Sequence, residues 1–372
     1  MARILILAAT HEPYDNRVYY KETLSLLKHY PELTMIIPEG ENFEPAEGVT
    51  LKRFFAAGRW NRIKTLLQVA KGEDVDLCHC HEPDSLLAGV WLKREKGCKL
   101  IYDSHEYHPE SFSERFPSPI RGLVRWAMLR FERWMVRQCD VVITVNEDLA
   151  AKFRGWGAKV AVLPNYPSPE LFSEPEGAEG VTHHRPLHLI YVGTLAKTRG
   201  VLDVLEVAHR LQNEGEAVKV SIIGVSNESE FAEELKAFAQ ENQLKVELTG
   251  HVPHDQVAER MRNSDVGMLL LHPLERYMKA EPIKLFEYMA CGLPVISYHY
   301  PAVEGIMKET GCGQMVKPMD LNAVVATLKE WILDPECRRR LGENGKKAFQ
   351  EKYNWGVCER RLWQVYEELG LE

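Results

Sequence analysis

The stretch Glu281–Ser297, EPIKLFEYMACGLPVIS, decides the fold of this chain. Pro282 is favoured at the first position of a helix, because its ring fixes a helical φ and its N–H would have no helical partner there. Lys284 and Glu287 are three residues apart and therefore share one face of that helix. Gly292 ends the helix, and the apolar run PVIS that follows predicts a buried strand. A helix that passes at once into a strand is typical of an α/β fold.

The start of this predicted helix favours a ligand with phosphate and hydroxyl groups. The first turn of a helix offers N–H groups that have no partner within the helix, and these favour an anion. Glu287, one turn further along, can accept hydrogen bonds from a vicinal diol such as that of a ribose.

A second informative stretch, Tyr191–Gly200 (YVGTLAKTRG), lies upstream. A predicted strand that ends at Gly193 runs into a loop with Lys197 and Arg199, after which a helix begins. Cations at the carboxyl end of a strand can hold a diphosphate, and an arginine can do so with two parallel hydrogen bonds. On this stretch alone, a solvated surface loop is an equal alternative.

Outward from these stretches, short apolar runs alternate with helical patterns along the chain. Strands are predicted at 3–9, 33–38, 76–80, 99–103, 140–145, 188–193, 218–224, 245–249, 266–271 and 294–297. Helices are predicted at about 18–30, 61–71, 84–95, 119–138 and 200–214. This alternation predicts the α/β class, with two Rossmann-like domains built on doubly wound parallel sheets that face a cleft.

The length of 372 residues allows two cores, at about 150 residues per domain. Four prolines between residues 164 and 175 predict a linker. We therefore expect a first domain at 1–165, a linker at 166–183 and a second domain at 184–350. A C-terminal helix at 351–372 is expected to cap one of the two domains and can cross back to the first.

Composition excludes several classes of protein. The formal net charge of -8 gives no global basic field, so a nucleic acid partner is not expected. The eight cysteines are spread through apolar runs, which favours reduced, buried thiols. The N-terminus lacks a basic segment and a cleavage site, and no stretch approaches about 20 apolar residues. A cytoplasmic location is therefore predicted.

Three nucleotide and metal motifs are also set aside. The segment after the first strand, Thr10–Arg17 (THEPYDNR), has no glycine, whereas a dinucleotide site needs glycines for close approach to the pyrophosphate. A P-loop pattern is absent as well. Cys78–His81 (CHCH) has the residue types of a metal cluster, but neighbouring side chains on a strand point to opposite faces. The four side chains are thus not expected to converge on one ion.

The most specific motif, PIKLFEYMACGLPVI, resembles that of the group 1, or family 4, retaining glycosyltransferases, which have the two-domain GT-B fold. The resemblance covers nearly the whole chain. Four further stretches resemble shorter motifs of the family: DNRVYYKE at 15–22, DLCHCHEPD at 76–84, YDSHE at 102–106 and LPN at 163–165. They are individually weaker than the first motif.

The resemblance implies an enzyme that moves a sugar from a nucleoside-diphosphate sugar to a hydroxyl acceptor with retention of configuration. A UDP- or GDP-sugar is the expected substrate, with no cofactor and no metal. A glycan or lipid-linked acceptor in cell-surface glycan or glycolipid synthesis is expected from the family. The second domain is then the donor-binding one, and the first lies on the acceptor side. The implied donor-binding residues are Gly193, Thr194, Lys197, Arg199, Lys284 and Glu287.

The chain departs from the family pattern at two places in the donor site. Many members have an arginine where this chain has Thr194, so either Lys197 substitutes for it or the diphosphate clamp is weaker. The family's second glutamate lies eight positions before the helix glutamate, where this chain has Lys279. Glu281 is six positions before Glu287 and either contacts the transferred sugar as a catalytic residue or only flanks the helix.

The resemblance also implies residues in the first domain. His105 stands where the family has a histidine close to the sugar and acceptor, and we assign it a catalytic role; a histidine bonded to local backbone is the alternative. Arg17 is expected to face the acceptor side of the cleft from the first loop. His81 is placed there by its own position at the end of a predicted strand, and not by the resemblance. For Arg17, a surface position at a helix start is nearly as plausible from the sequence.

The segment Arg121–Arg137 (RGLVRWAMLRFERWMVR) is basic and aromatic. It can lie on an anionic membrane that carries a lipid-linked acceptor, which would place the protein at the inner face of the membrane. The alternative, which we favour from the sequence, is an amphipathic helix that packs Leu123, Trp126, Leu129 and Trp134 on the core.

Two other functions remain open at this stage. A nucleotide-sugar 2-epimerase has a similar architecture, although the P-x-K-x-x-E-Y motif argues against it. A non-catalytic nucleotide-binding paralogue is favoured by Thr194 and by the irregular glutamate spacing. Turnover of the donor would exclude the non-catalytic paralogue. Interconversion of the sugar without an acceptor would indicate the epimerase.

Overall fold

The computed structural model describes residues 2–40, 42–172, 186–226, 228–250 and 252–371. The chain divides into two compact units. The first contains Met1–Asn165 and Gly356–Glu372, and the second contains Tyr166–Trp355. Within the described ranges, no helix is long and apolar enough to cross a membrane.

The first unit is built on a seven-stranded parallel sheet with strand order β3-β2-β1-β4-β5-β6-β7. Its strands are β1 Ile4–Leu7, β2 Leu33–Pro38, β3 Val49–Phe54, β4 Leu77–Cys80, β5 Lys99–Ser104, β6 Val141–Thr144 and β7 Val160–Val162. Its helices are a π-helix at Asn16–Thr23, α1 Leu24–Leu27, α2 Arg59–Lys71, α3 Pro83–Lys96, α4 His108–Ser113, α5 Ser118–Val136 and α6 Glu147–Arg154. All four residues of β1, β4 and β6 are buried, as expected for central parallel strands.

The second unit has a six-stranded parallel sheet with strand order β10-β9-β8-β11-β12-β13. Its strands are β8 Leu187–Val192, β9 Val218–Ile223, β10 Lys245–Thr249, β11 Val266–Leu269, β12 Val295–Tyr298 and β13 Gly313–Val316. Its helices are α7 Val201–Asn213, α8 Ser229–Glu241, α9 His254–Arg262, α10 Glu275–Lys279, α11 Ile283–Ala290, α12 Pro301–Thr310, α13 Leu321–Leu333 and α14 Pro335–Glu351. The predicted α/β class with two doubly wound parallel sheets is confirmed.

The two sheets share a topological feature that locates candidate sites. Strand order reverses between β1 and β4 in the first sheet and between β8 and β11 in the second. In open α/β sheets, ligands bind outside the carboxyl ends of the strands at such a reversal. The loops after these four strands are therefore the expected positions of ligand-binding residues.

The last helix, α15 Trp355–Glu367, belongs to the first unit from Gly356 onward. The Trp363 indole N–H donates to the Ser25 carbonyl at 2.8 Å, and the Tyr366 hydroxyl lies 2.8 Å from His79 Nδ1. Of the two placements left open by the sequence, the helix thus takes the one on the first unit.

The predicted linker differs from the structure in its first part. Residues 166–172 belong to the second unit, where Phe172 is buried and the Tyr166 ring packs edge-on against Phe286. The remaining residues of the predicted linker lie outside the described ranges. The prolines marked the change of unit, but proline content does not show that a segment lacks packing.

Helix α5 contradicts the packing that we favoured from the sequence. Leu123 is 67% exposed and Trp126 is 61% exposed, and Trp134 is also on the surface. The buried residues of this helix are Glu132, Met135 and Val136. The helical pattern identified an apolar face, but such a pattern does not say whether the protein itself covers that face.

Candidate functional site

At the carboxyl end of β8, two glycines bring the backbone close to neighbouring groups. Gly200 has φ +70°, and a Cβ there would overlap the Leu270 carbonyl after β11. Gly193 has φ +131°, and a Cβ there would lie 3.2 Å from Lys284 Nζ. A side chain at either position would be strained or would crowd this edge of the sheet.

Lys284, on the first turn of α11, is buried beside this loop. Its Nζ lies 4.0 Å from the Tyr191 ring centroid and has no hydrogen-bond partner among the described residues. Burial lowers the pKa of Lys284 to about 7; Arg199 lowers it further, and Glu287 opposes the shift. A buried ammonium without a hydrogen-bond partner is costly, so an anion bound at this position would be stabilised.

The other predicted donor residues of this loop fall into two groups, those that lie at the end of β8 and Lys197, which points away. The Tyr191 hydroxyl donates to the Thr194 carbonyl at 2.8 Å, and the Arg199 guanidinium lies 5.9 Å from the Tyr277 ring centroid. Lys197 instead pairs with Glu234 on α8 at 2.6 Å and is largely exposed. The structure thus brings Gly193, Thr194, Arg199 and Lys284 to one edge of the sheet, and Glu287 is near enough to Lys284 to influence its pKa. Lys197 is paired elsewhere.

Glu281 lies just before α11, where Pro282 is the N-cap residue and no side chain caps the first turn. The Glu281 Oε2 atom is buried and has no hydrogen-bond partner among the described residues. Burial raises the pKa of Glu281 to about 7. This carboxyl can therefore exist in either protonation state near neutral pH, as suits a group that contacts a reacting sugar.

Sequence reasoning missed one polar group at this edge. Asp203, on α7, accepts from the Tyr298 hydroxyl at 2.8 Å and lies 3.2 Å from His272 Nε2. The backbone N–H of His272 donates to the Thr198 carbonyl at 3.0 Å, and this bond fixes the loop that carries Arg199. The sequence signal for this polar group was His272, which directly follows the apolar run that begins with β11.

In the first unit, Glu82 joins the loops after β1 and β4. Its carboxylate accepts from the N–H groups of Ala9 and Thr10 at 3.0 and 2.9 Å, and from the Thr10 hydroxyl at 2.8 Å. Ser85 donates to the same carboxylate at 3.0 Å. This edge of the sheet is thus held by one buried carboxylate.

Beneath these loops lies a group of charged and imidazole side chains that we call the buried polar cluster: Arg17, Glu22, His79, His81 and Asp103. All five are at most 4% exposed. The π-helix places Arg17 and Glu22 five residues apart on one face, since its hydrogen bonds span five residues. Both histidines come from β4, and Asp103 comes from β5.

Arg17 organises the buried polar cluster. Its guanidinium donates twice to Asp103 Oδ2, at 2.8 and 3.0 Å, and once to the Leu163 carbonyl at 3.2 Å. Its Nε also lies 2.9 Å from Glu22 Oε1. Arg17 and His81 are both buried, and their expected place on the acceptor side stays a prediction.

The charges of the cluster shift the pKa values of its members. Burial and the neighbouring Asp103 hold the pKa of Glu22 well above its usual range, although Arg17 opposes the shift. Burial alone would raise the pKa of Asp103, but Arg17 and His105 hold it well below the usual value. Burial lowers the pKa of His79 to about 4 and that of His81 well below its usual value.

His105 lies at the margin of this cluster and is partly exposed. Its Nδ1 is 3.7 Å from Asp103 Oδ1, and its ring centroid is 5.2 Å from that of His11. His11 Nδ1 lies 2.9 Å from Asp15 Oδ2. Sequence reasoning missed His11, although its position in the loop after β1 was a signal.

The alternation expected along Cys78–His81 is confirmed. The two histidine rings stack with centroids 4.7 Å apart, whereas Cys78 and Cys80 belong to the hydrophobic core on the other side of the sheet. All eight cysteines are free thiols, and six of them are buried. The four residues of the stretch therefore do not form one metal site.

Comparison with protein families assigns both halves of the chain. Residues 178–348 match the family described as glycosyl transferases group 1. Residues 28–166 match the glycosyl transferase 4-like domain.

Individual proteins agree with these assignments. The alpha-D-kanosaminyltransferase of Streptomyces kanamyceticus is 24% identical over 79% of this chain and 77% of its own length. The amylovoran biosynthesis glycosyltransferase AmsK of Erwinia amylovora is 26% identical over 50% of this chain, which spans only 46% of AmsK. The structure of Anabaena HepE with UDP and glucose is similar over 99% of this chain and 100% of its own, with a TM-score of 0.71 and 13% identity.

Proposed function

The chain belongs to the group 1 glycosyl transferases, and we propose that it moves a sugar from a nucleoside-diphosphate sugar to a hydroxyl acceptor with retention of configuration. The observation that carries this proposal is the buried Lys284 ammonium, which has no hydrogen-bond partner among the described residues and lies beside Gly193. A diphosphate is an anion that such a position would stabilise.

We assign the parts of the donor to the residues at the β8–β11 edge. Lys284, Arg199 and the first turn of α11 would bind the diphosphate, because cations and a helix N-terminus both favour anions. Glu287 would accept hydrogen bonds from the ribose, and Glu281 would contact the transferred sugar. Lys197 has only a minor role in this assignment, since its ammonium is paired with Glu234.

The proposed reaction needs no protein nucleophile. The bond between the anomeric carbon and the diphosphate oxygen breaks, and the acceptor oxygen forms a bond to that carbon on the same face. The acceptor proton passes to the departing diphosphate oxygen. The protein positions the reactants and stabilises the negative charge that develops on the departing diphosphate. Arg199 and Lys284 would supply the positive charge for this, without a metal ion at the diphosphate. In the first unit, His105 stays our candidate for a further catalytic residue.

The likeness to HepE, solved with UDP and glucose, favours a UDP-sugar donor among the nucleotides. The likeness to AmsK, whose name assigns it to amylovoran biosynthesis, favours an acceptor in the synthesis of a glycan. A GDP-sugar remains the second donor to test.

The first experiment is a thermal shift assay with UDP, GDP, ADP and dTDP, each with Mg²⁺ and with EDTA. A ligand at 100 times its Kd stabilises the folded state by about 2.7 kcal/mol, so binding is readily seen. We expect one diphosphate, UDP first, to raise the Tm equally with Mg²⁺ and with EDTA. A shift that requires Mg²⁺ would contradict the metal-independent donor site.

Turnover of the matching sugar nucleotide then tests the reaction itself. Release of nucleoside diphosphate that depends on an added glycan acceptor supports transfer, and the anomeric proton coupling of the product reports retention. Interconversion of the donor sugar without an acceptor would indicate an epimerase. Binding without any turnover would indicate a non-catalytic paralogue.

We also propose that α5 contacts an anionic membrane surface on which a lipid-linked acceptor lies. The specific observation is that Leu123 and Trp126 are mostly exposed on α5, and that this helix and its C-cap residue carry five arginines between residues 121 and 137. Arginines near an anionic surface contribute about 1 kcal/mol each, and buried apolar side chains add to this. One of the five, Arg125, is already paired with Glu110.

Sedimentation with vesicles tests this contact. The protein should bind phosphatidylglycerol vesicles and not phosphatidylcholine vesicles, and Trp126→Ser should weaken binding roughly tenfold. Trp60→Ser is the matched control, because Trp60 is 62% exposed on α2 of the same unit. Equal loss of binding in both variants would contradict the assignment to α5.

A further inference from the structure

The buried polar cluster contains a set of metal ligands that differs from the Cys78–His81 stretch. One ligand atom from each of Glu22, His79, His81 and Asp103 lies within 4.8 Å of the others. All four side chains are at most 1% exposed. Two imidazoles and two carboxylates are a donor set that suits a zinc-class divalent cation.

Several of these ligand atoms have no hydrogen-bond partner in the described part of the chain. They are Glu22 Oε2, His79 Nε2 and both ring nitrogens of His81. Glu22 Oε2 is 3.7 Å from His79 Nε2 and 3.8 Å from His81 Nε2, which is too far for hydrogen bonds. Buried polar atoms are nearly always satisfied, so this concentration of unsatisfied ones indicates a missing partner among them.

One further heteroatom on each of His79, Glu22 and Asp103 lies next to a neighbouring polar group. The Tyr366 hydroxyl lies 2.8 Å from His79 Nδ1, and the Arg17 guanidinium holds Glu22 Oε1 and Asp103 Oδ2. When the Nδ1–H of His79 donates to Tyr366, its Nε2 presents a lone pair to the cluster. Metal-binding histidines and carboxylates are typically oriented by such outer hydrogen bonds.

Charge and size also fit a bound cation. Arg17 is the permanent cation that pairs with both Glu22 and Asp103. The second carboxylate therefore needs either a proton, in line with the raised pKa of Glu22, or a bound cation. Zinc bonds of about 2.0–2.1 Å place tetrahedral ligand atoms about 3.4 Å apart. The four side chains would therefore need to close by roughly 1 Å, which rotation about their χ angles can supply.

We propose that Glu22, His79, His81 and Asp103 bind one zinc-class divalent cation, which ties the π-helix to strands β4 and β5. This cation is separate from the diphosphate site of the second unit, and it takes no part in the proposed transfer. The proposal therefore stands or fails independently of the proposed function.

Metal content of the full-length protein is the first test. Protein expressed with added zinc should contain about one zinc per chain by mass spectrometry of the metal, and the metal-stripped protein should take up Co²⁺ with the visible absorption of a tetrahedral site. His79→Gln and His81→Gln should each lower the metal content at least tenfold. His108→Gln, a change in a partly buried histidine of the same unit, should leave it unchanged.

Tyr366→Phe provides a test that does not remove a ligand. Loss of the hydroxyl next to His79 Nδ1 should weaken zinc affinity roughly tenfold in a chelator competition assay, as expected for an outer partner of a ligand. Wild-type protein that contains no zinc after growth with added zinc, and that shows no Co²⁺ spectrum, would overturn the proposal. Glu22 would then carry a proton in the folded protein, which infrared absorption of its carboxyl group would reveal. A Tm shift with UDP in the same sample would show that the donor site is intact.

Discussion

The two sheets present the same topological reversal, yet the buried charge beside each reversal is of opposite sign. Beside β8 and β11, the Lys284 ammonium is buried without a hydrogen-bond partner among the described residues. Beside β1 and β4, Glu22 and Asp103 are buried against the single guanidinium of Arg17. The second unit thus has a place for an anion, and the first has a place for a cation or a proton.

This difference shows that strand order alone does not determine the class of ligand. A strand reversal gives an open position at the end of the sheet, and the side chains that the adjacent helices bring there decide what can occupy it. The π-helix brings a glutamate and an arginine to the first reversal, whereas α11 brings a lysine to the second.

Among the changes that test this difference between the two units, Asp103→Asn is expected to have the largest effect, which is on stability. It leaves the buried Arg17 with only Glu22 as counter-charge and should lower the free energy of unfolding by about 3–5 kcal/mol. Urea denaturation followed by circular dichroism measures this loss. Asp74→Asn, at a carboxylate whose side chain is 83% exposed, is the control and should change the stability little.

Lys284→Met should weaken nucleoside diphosphate binding about 10- to 100-fold, the range expected for the loss of a hydrogen bond to a charged group. The same change should raise the free energy of unfolding by a few kcal/mol near pH 7, because it removes a buried ammonium whose pKa is lowered to about 7. Calorimetric titration and urea denaturation test the two parts. A variant with weaker binding and lower stability would contradict the assignment of Lys284 as an unpartnered buried cation.

Diphosphate affinity should fall as the pH rises from 7 to 9. Lys284 must be protonated to attract the diphosphate, and its pKa of about 7 means that higher pH removes the proton from the free protein. The affinity should fall by up to about tenfold per pH unit, while the terminal phosphate, with a pKa of about 6, stays ionised. Lys284→Met should abolish this dependence; a steep profile in that variant would assign the titration to another group, with Glu281 the first candidate.

In the absence of ligand, the lowered pKa of Lys284 predicts that stability rises with pH, whereas diphosphate affinity falls with pH. The pKa of Lys284 is lowered in the folded state from 10.5, so between about pH 7 and 10.5 the unfolded chain binds the proton more tightly. The free energy of unfolding contributed by this group therefore rises with pH across that window. Denaturation curves of wild type and Lys284→Met at pH 7 and 9 isolate the contribution.

The smallest expected effect separates the two loop cations. Arg199→Ala should weaken diphosphate binding roughly tenfold, whereas Lys197→Ala should change it less than about twofold, because Lys197 is exposed and paired with Glu234. Equal losses in the two variants would show that the Lys197–Glu234 pair opens when the donor binds.

The helix and the loop of the second unit that carry the predicted donor residues could be predicted, because the signals for them are local in sequence. The bounds of α11 and the end of β8 follow from Pro282, Gly292 and Gly193, whose conformational preferences act within a few residues. What the sequence could not show was the direction of Lys197, since that depends on Glu234 on another helix.

The first-unit cluster could not be predicted because its contacts join distant parts of the chain. Arg17 and Asp103 are 86 residues apart, and His79 meets Tyr366 across 287 residues. The sequence pattern placed His79 and His81 on one face of a strand, but it could not place Glu22 opposite them. The π-helix at Asn16–Thr23 was not predicted, because the pattern after residue 18 indicated a helix without its type and π-helices are rare.

The return of α15 to the first unit has a consequence for the order in which the protein forms during synthesis. The second unit is one continuous segment, Tyr166–Trp355, and all of it leaves the ribosome before α15 does. The first unit is begun first, but it lacks Trp363 and the hydroxyl of Tyr366 until the last turns of α15 emerge. Domains often fold as they emerge, N-terminal first. Here the unit made first is completed last, so the nascent chain carries an unfinished first unit while the second folds.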